Sequence, residues 1–331
     1  MIPADKQPLV QKALQKTFGV DEFETMEQLT KGLSGALVFK VTVHGTQYLL
    51  RVITRTETRD KPAYYFDCLK TAADAGIAPR IHYLDIDDRI SITDFIQPKH
   101  FSIADARIQM ADLIKDLHAL PKFAHQMSFL EASDNFLQRF RASNIVPESE
   151  TKDVFDLYEG ISKVYPRYDE ANLVSCHNDI KADNIIFDGM RPWLVDWEAA
   201  RLNDRYLDLA AIANFVVKNE SDENELLQRY FGDSLDEYNQ ARFFLMSMIV
   251  HMFCFTLCTM LYAAGQSIDI HTPTVGFNAF HDGLWNCQID LADDNQKLHY
   301  GLVHYRELVR KMQTDRFDEA LRTLSNYSMM S

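Results

Sequence analysis

No Cys-x-x-Cys pair occurs in this sequence. Its five cysteines, Cys68, Cys176, Cys254, Cys258 and Cys287, are scattered, and no second pair of nearby ligands completes a zinc site around them. With no secretory segment ahead of them, reduced thiols in a cytoplasmic protein are the expectation. Cys254 and Cys258 stand four apart in an apolar run, so they share a helical face and read as small buried side chains. Basic residues are outnumbered, 34 against 48 acidic ones, for a formal charge of −14. That deficit argues against a broad nucleic-acid or anionic-membrane surface and suits a cationic ligand. The stretch 243–263 is nearly continuous in apolar residues but has no basic cluster at either end, and it contains Ser247, His251, Thr256 and Thr259. It therefore reads as a central helix covered all round, and no stable membrane insertion is expected.

What the chain does have is 331 residues at 47% hydrophobic composition, enough for a sizeable core in two lobes. An early helix over 8–18 ends near Gly19. Residues 37–43 and 48–54 read as strands joined by a turn at Gly45, rich in branched and aromatic side chains. A helix is expected over 60–75, with Pro62 near its start, followed by strands over 81–84 and 89–95. The polar segment 97–100 makes a hinge. Beyond it Met110, Leu113, Ile114, Leu117 and Leu120 fall on one helical stripe that Pro121 ends. Helices are expected over 135–140, 151–165, 208–215, 223–231, 235–263 and 296–327, with a long irregular connection over 265–283. The expected architecture is α+β and bilobal: a β-rich N-terminal nucleotide-binding lobe, 1–96, and a helical C-terminal lobe, 97–331, carrying catalytic and acceptor-binding residues.

The informative stretch is 177–198. It holds His177, Asp179 and Asn184, a short hairpin pattern turning at a glycine, and then Asp196-Trp197-Glu198. Transfer of a phosphoryl group needs an oriented hydroxyl and compensation for charge on the phosphate oxygens. Asp179 can orient that hydroxyl or accept its proton. Asn184 can offer magnesium an amide oxygen, and Asp196 can approach the same ion from the second strand. Asp183 and Glu198 add carboxylates. Upstream, Lys31-Gly32-Leu33-Ser34-Gly35-Ala36 could fold over phosphates through backbone donors, although it lacks the Gly-Lys-Ser/Thr ending of a P-loop. Phe95 and Ile96 fall at the hinge, where adenine could be read and covered.

These residues resemble the choline/ethanolamine kinase and aminoglycoside phosphotransferase superfamily, a branch of the protein-kinase-like fold. The likeness rests on His177-x-Asp179-x-x-x-x-Asn184, on Asp196-Trp197-Glu198, and on 203–210, where Asp208 matches an internal loop anchor of the choline-kinase-like branch. It implies that Asp179 is the catalytic base, that Asn184 and Asp196 hold Mg2+ with ATP, and that His177 supports the loop. It also places Arg51 as a phosphate contact, aided by its forked donors; the loop with Gly32, Ser34 and Gly35 is the other candidate to meet the nucleotide. One departure stands out: the following helix usually supplies a glutamate to the basic residue, whereas 62–67 contains none, leaving Asp60 or Asp67 as substitutes. The acceptor implied is a small cationic alcohol, choline or ethanolamine first, an aminoglycoside or thiamine otherwise. Glu198, Trp197, Tyr206 and Trp285 are candidates to receive it. A homodimer is compatible with the chain. The reading of a different class is a catalytically quiet nucleotide-binding domain.

Overall fold

In a computed structural model of the protein, residues 2–29, 36–54 and 62–328 are described. Helix α1 (Gln7–Phe18) carries Pro8 in its first turn, where a missing N–H costs nothing, and stops at Gly19 in the left-handed conformation. Strands β1 (Thr25–Leu29), β2 (Ala36–Val43) and β3 (Thr46–Ile53) follow, then α2 (Pro62–Asp74), β4 (Ile81–Asp85) and β5 (Ile90–Asp94). Next come α3 (Ile103–His118), α4 (Phe129–Ser143), α5 (Glu148–Val164) and β6 (Leu173–Cys176). A small hairpin, β7 (Ile185–Phe187) and β8 (Pro192–Leu194), precedes β9 (Arg201–Asp204). Helices α6 (Arg205–Val216), α7 (Glu220–Phe231), α8 (Glu237–Ala263), α9 (Phe277–Trp285), α10 (Asp294–Met312) and α11 (Asp315–Ser328) complete the chain.

The expected α+β, two-lobed fold is present. The first compact unit runs to Phe101 and takes in Phe123–His125 and Asn184–Arg201. Its antiparallel sheet has the order β1-β2-β3-β5-β4. Phe39, Val41, Leu50, Val52, Ile90 and Ile92 are buried together with Val10 and Ala13 of α1. Strand alternation then fixes Arg51: standing between the core residues Leu50 and Val52, it must project from the opposite face of the sheet. Strand β1 was not anticipated, because four of its five residues are exposed and carry no apolar alternation.

The second unit comprises Ser102–Lys122, Gln126–Asp183 and the chain from Leu202 onward. Its helices start on the caps their sequences supply: Ser102, Ser128, Asn219, Asp236 and Asp293 each accept a backbone N–H from the first turn. Among the described residues α8 is the helix long and apolar enough to cross a membrane, and 67% of its most apolar window is buried within the protein. Gly301 lets α10 approach it, since a Cβ there would lie 2.9 Å from Thr259 Cγ2. Helix α9 lies in the stretch expected to be irregular. Its Gly283 permits a close approach, since a Cβ there would lie 2.6 Å from Ile289 Cδ1. The long helix expected over 296–327 is two, α10 and α11, broken at Gln313 and Thr314. All five cysteines are unpaired.

Helices α8, α9 and α10 meet around three fully buried histidines, His251, His281 and His304. His251 Nδ1 and His304 Nδ1 are 2.8 Å apart, and His281 Nδ1 bonds the Phe277 carbonyl at 2.9 Å. Their Nε2 atoms have no hydrogen-bond partner among the described residues. A hydrogen bond between two ring nitrogens requires the accepting ring to be neutral. Burial depresses all three pKa values, His281 to about 4, aided by the charge of Lys311 near His251 and His304 and of Lys218 near His281, against Asp282. Lys311 is itself pushed down to about 8, mainly by burial. In the unfolded chain these histidines protonate below about pH 6.5. The stabilisation is therefore whole above that pH and falls as pH drops toward the folded values. For His281 alone the loss at pH 5 is about 2 kcal/mol. Urea unfolding at pH 7.5 and pH 5 should show this decline, and His281→Gln should flatten it; an equal decline in that variant would contradict the assignment.

Candidate active site

In the second unit, β6 runs through the fully buried Ser175 and Cys176 into the loop that carries Asp179. Asp208, one turn into α6 and without solvent exposure, reaches back to this loop. Its Oδ2 accepts the backbone N–H of His177 and its Oδ1 that of Asn178, both at 2.8 Å. Asn178 adopts φ +64°, a left-handed kink that an asparagine tolerates and that turns Asp179 outward. The Asp179 side chain is 39% exposed and pairs with Lys181 Nζ at 2.7 Å. The anchoring role expected of Asp208 thus has a geometry: one carboxyl group satisfies two successive buried donors.

Asp208 is itself held. His118 Nε2 lies 3.2 Å from its Oδ2, and His118 Nδ1 lies 2.7 Å from the Tyr230 hydroxyl. Cys176 Sγ stands 3.8 Å from His118 Nε2 and bonds the Asn203 carbonyl at 3.5 Å. Burial, then the nearby charges of Asp208 and Asp204, raise the Cys176 pKa and keep it a thiol. The ligand-type atoms of His118, Cys176 and Asp208 lie within 4.8 Å of one another. The bonds just described engage all three groups, so the cluster supports the loop as a hydrogen-bonded unit.

A second brace was missed in the sequence. Asn203 donates to Asn178 Oδ1 at 2.9 Å, and its own Oδ1 accepts the Asp204 N–H. Asp204 caps α6 and pairs with Arg242, a fully buried guanidinium that also bonds Asp169 at 2.7 Å. The rings of Tyr165, Tyr206 and Tyr238 lie 4.7, 5.0 and 5.6 Å from it. The available signal was a lone arginine at the mouth of the apolar run that becomes α8, since a buried charge requires partners.

In the first unit the β7–β8 hairpin sets Asn184 and Asp196. Ile185 stands opposite Leu194, and Val195 N–H bonds the Asn184 carbonyl at 3.0 Å, so both candidate ligands occupy its open end. The far end turns at Gly189, φ +100°, around Asp188, which accepts the N–H groups of Met190 and Arg191 and the Trp193 indole N–H. Asp196, also left-handed at φ +64°, presents Oδ1 to both terminal nitrogens of Arg51 at 3.1 Å. Glu198 takes a second bond from the same guanidinium. Burial opposes the Arg51 charge, but Asp196 and Glu198 outweigh it and raise the Arg51 pKa. Among the described residues the carboxylates that meet Arg51 are Asp196 and Glu198; Asp67 is exposed, and Asp60 lies outside the described residues.

Gly32, Ser34 and Gly35 also lie outside the described residues. Phe95 and Ile96 are half-buried just after β5, with Lys40 Nζ 4.9 Å from the Phe95 ring centre. Burial removes two residues from the acceptor set. Trp197 is 3% exposed with its indole N–H on the Leu194 carbonyl, and Tyr206 is fully buried with its hydroxyl on Asn239. Glu198 is committed to Arg51, and Trp285 packs half-buried beside Phe215. Burial is the main cause that raises the pKa values of the half-buried Tyr300 of α10 and Cys254 of α8, and the charge of Asp179 adds a smaller increment to both.

The sequence profile of the phosphotransferase enzyme family, APH, matches residues 25–244. Protein LicA of Haemophilus influenzae is 28% identical over 100 residues, which are 28% of this chain and 37% of that protein; the chain thus spans little more than a third of this relative's length. A choline/ethanolamine kinase family protein of Mesorhizobium loti superposes with a TM-score of 0.69 at 20% identity, over 96% of this chain and 99% of that one. Choline kinase LicA of Streptococcus pneumoniae does so with a TM-score of 0.61 at 16% identity, over 93% and 99%. At these identities the two structures establish likeness of fold.

The loop anchor yields a direct test. Asp208→Asn keeps one acceptor oxygen and sets an amide N–H2 against a backbone N–H, leaving a buried donor unpaired. Urea unfolding should show a loss of about 1–3 kcal/mol; an unchanged midpoint would mean that the two bonds carry no stability.

Proposed function

The chain belongs to the phosphotransferase enzyme family, and from that premise we propose that it transfers the γ-phosphoryl group of ATP to the hydroxyl of a small cationic alcohol, choline or ethanolamine. The observation that carries the reading is Asp179, exposed on a loop whose two preceding N–H groups are both fixed by Asp208. A base for phosphoryl transfer must be open to the substrate hydroxyl yet held in place, because orientation is most of what the protein contributes.

In the proposed reaction the acceptor oxygen attacks the γ-phosphorus, a new O–P bond forms, and the bond to the β,γ-bridging oxygen breaks as ADP leaves. Asp179 orients the hydroxyl and receives its proton, which then passes to solvent. Arg51 offers its guanidinium to phosphate oxygens. Asn184 and Asp196 provide an amide and a carboxylate oxygen, a hard donor pair of the kind magnesium takes, and Asp196 already receives positive charge from Arg51. Magnesium bound there would neutralise charge developing on the phosphates. A cationic acceptor suits the acidic balance of the chain.

The test is ADP release by the purified protein with magnesium and ATP over choline, ethanolamine, thiamine, aminoglycosides and simple sugars, with the product identified by mass. One amino alcohol should stimulate turnover, and Asp179→Asn should lower kcat by roughly 10²- to 10⁴-fold. Nucleotide binding without turnover on any acceptor would favour the quiet binding domain. Full activity in Asp179→Asn would remove the base.

A further inference from the structure

We propose that Glu198 is a positioning residue for Arg51, holding the guanidinium against phosphate while Asp196 is committed to metal; this rests on the functional reading above. Arg51 has two carboxylate partners among the described residues, Asp196 and Glu198. Both lie on the segment leaving β8, two residues apart, so one short stretch of backbone sets them together around one guanidinium. They are not equivalent. Asp196 stands at the open end of the hairpin beside Asn184, where a metal with oxygen ligands would be held. A carboxylate that gives electron density to a divalent ion attracts a neighbouring guanidinium less. Arg51 would then lose the partner it binds through both terminal nitrogens just as phosphate arrives.

Glu198 removes that conflict. It grips one terminal nitrogen of Arg51 from beyond Trp197. The buried Trp197, tied to the Leu194 carbonyl at 3.1 Å, fixes the backbone from which Glu198 projects. Arg51 itself is rooted in β3 between Leu50 and Val52, which are fully buried. Both ends of the Arg51–Glu198 pair are therefore anchored in packed structure while the charged tips remain partly open, at 16% and 38% exposure. Phosphate can share the guanidinium with Glu198, since Arg carries five donors in a planar fork. The structure assigns Glu198 to the nucleotide side, through Arg51, and away from the acceptor.

A double-mutant cycle on nucleotide binding tests this. Displacement of a fluorescent ATP analogue by ADP would be measured for the wild type, Glu198→Gln, Arg51→Met and the double variant, each with magnesium and again with a chelator. Glu198→Gln should weaken ADP binding about tenfold with magnesium and less with the chelator, where Asp196 still holds Arg51, and should have no further effect once Arg51 is replaced. Glu198→Asp should recover part of the loss, and the KM for the acceptor should stay unchanged. An effect equal in the presence and absence of Arg51 would make Glu198 a metal ligand and overturn the proposal. A raised acceptor KM with normal ADP binding would overturn it in favour of acceptor binding. A wild-type protein that binds no nucleotide would overturn the phosphotransferase reading itself.

Discussion

Asp208 is the constraint on which the rest of the second unit's chemistry depends. A loop that must present a carboxylate to solvent has to leave regular structure, and its backbone donors then need partners elsewhere. Two of them, on His177 and Asn178, are met by the two oxygens of a single side chain from α6. Everything around that carboxyl is arranged to keep it in place. His118 bonds it, Tyr230 bonds His118, and Asn203 ties the side chain of Asn178 to the same framework. Asp179 can be open because its neighbours are not.

The first unit solves a different problem, the accumulation of charge. Arg51 interrupts a strand of core residues, and alternation alone sends it to the opposite face of the sheet from α1. Two carboxylates from the hairpin exit meet it there and raise its pKa against the effect of burial. A guanidinium shared by two acids gathers both signs of charge within three side chains.

Much of this was legible in the residues because the determining signals are local. Branched and aromatic content located β2 and β3, the glycine at 19 ended α1, and the spacing of Asp179, Asn184 and Asp196 singled out the loop and hairpin. What escaped was non-local or locally misleading. Strand β1 is held by pairing with β2 and carries no apolar alternation of its own. Helix α9 begins inside the stretch 265–283 expected to be irregular, and its Gly283 permits contact with Ile289. The partners of Arg51 lie 145 and 147 residues away, so the reading searched α2, the neighbouring element, for a carboxylate that the fold brings from Asp196 and Glu198. Trp197 and Tyr206 have the right chemistry for a cation, but aromatic identity does not reveal burial. Arg242 was passed over because the apolar run after it looked complete without a charge.

The central claim is that the fixed, exposed Asp179 serves transfer of phosphorus to an alcohol and not to water. ATP labelled in its γ-phosphorus tests it most directly, incubated with the purified protein, magnesium and choline or ethanolamine. The account predicts label in an organic phosphoester, formed one for one with ADP. Label appearing only as inorganic phosphate, or remaining in ATP with every amino alcohol tried, would contradict it.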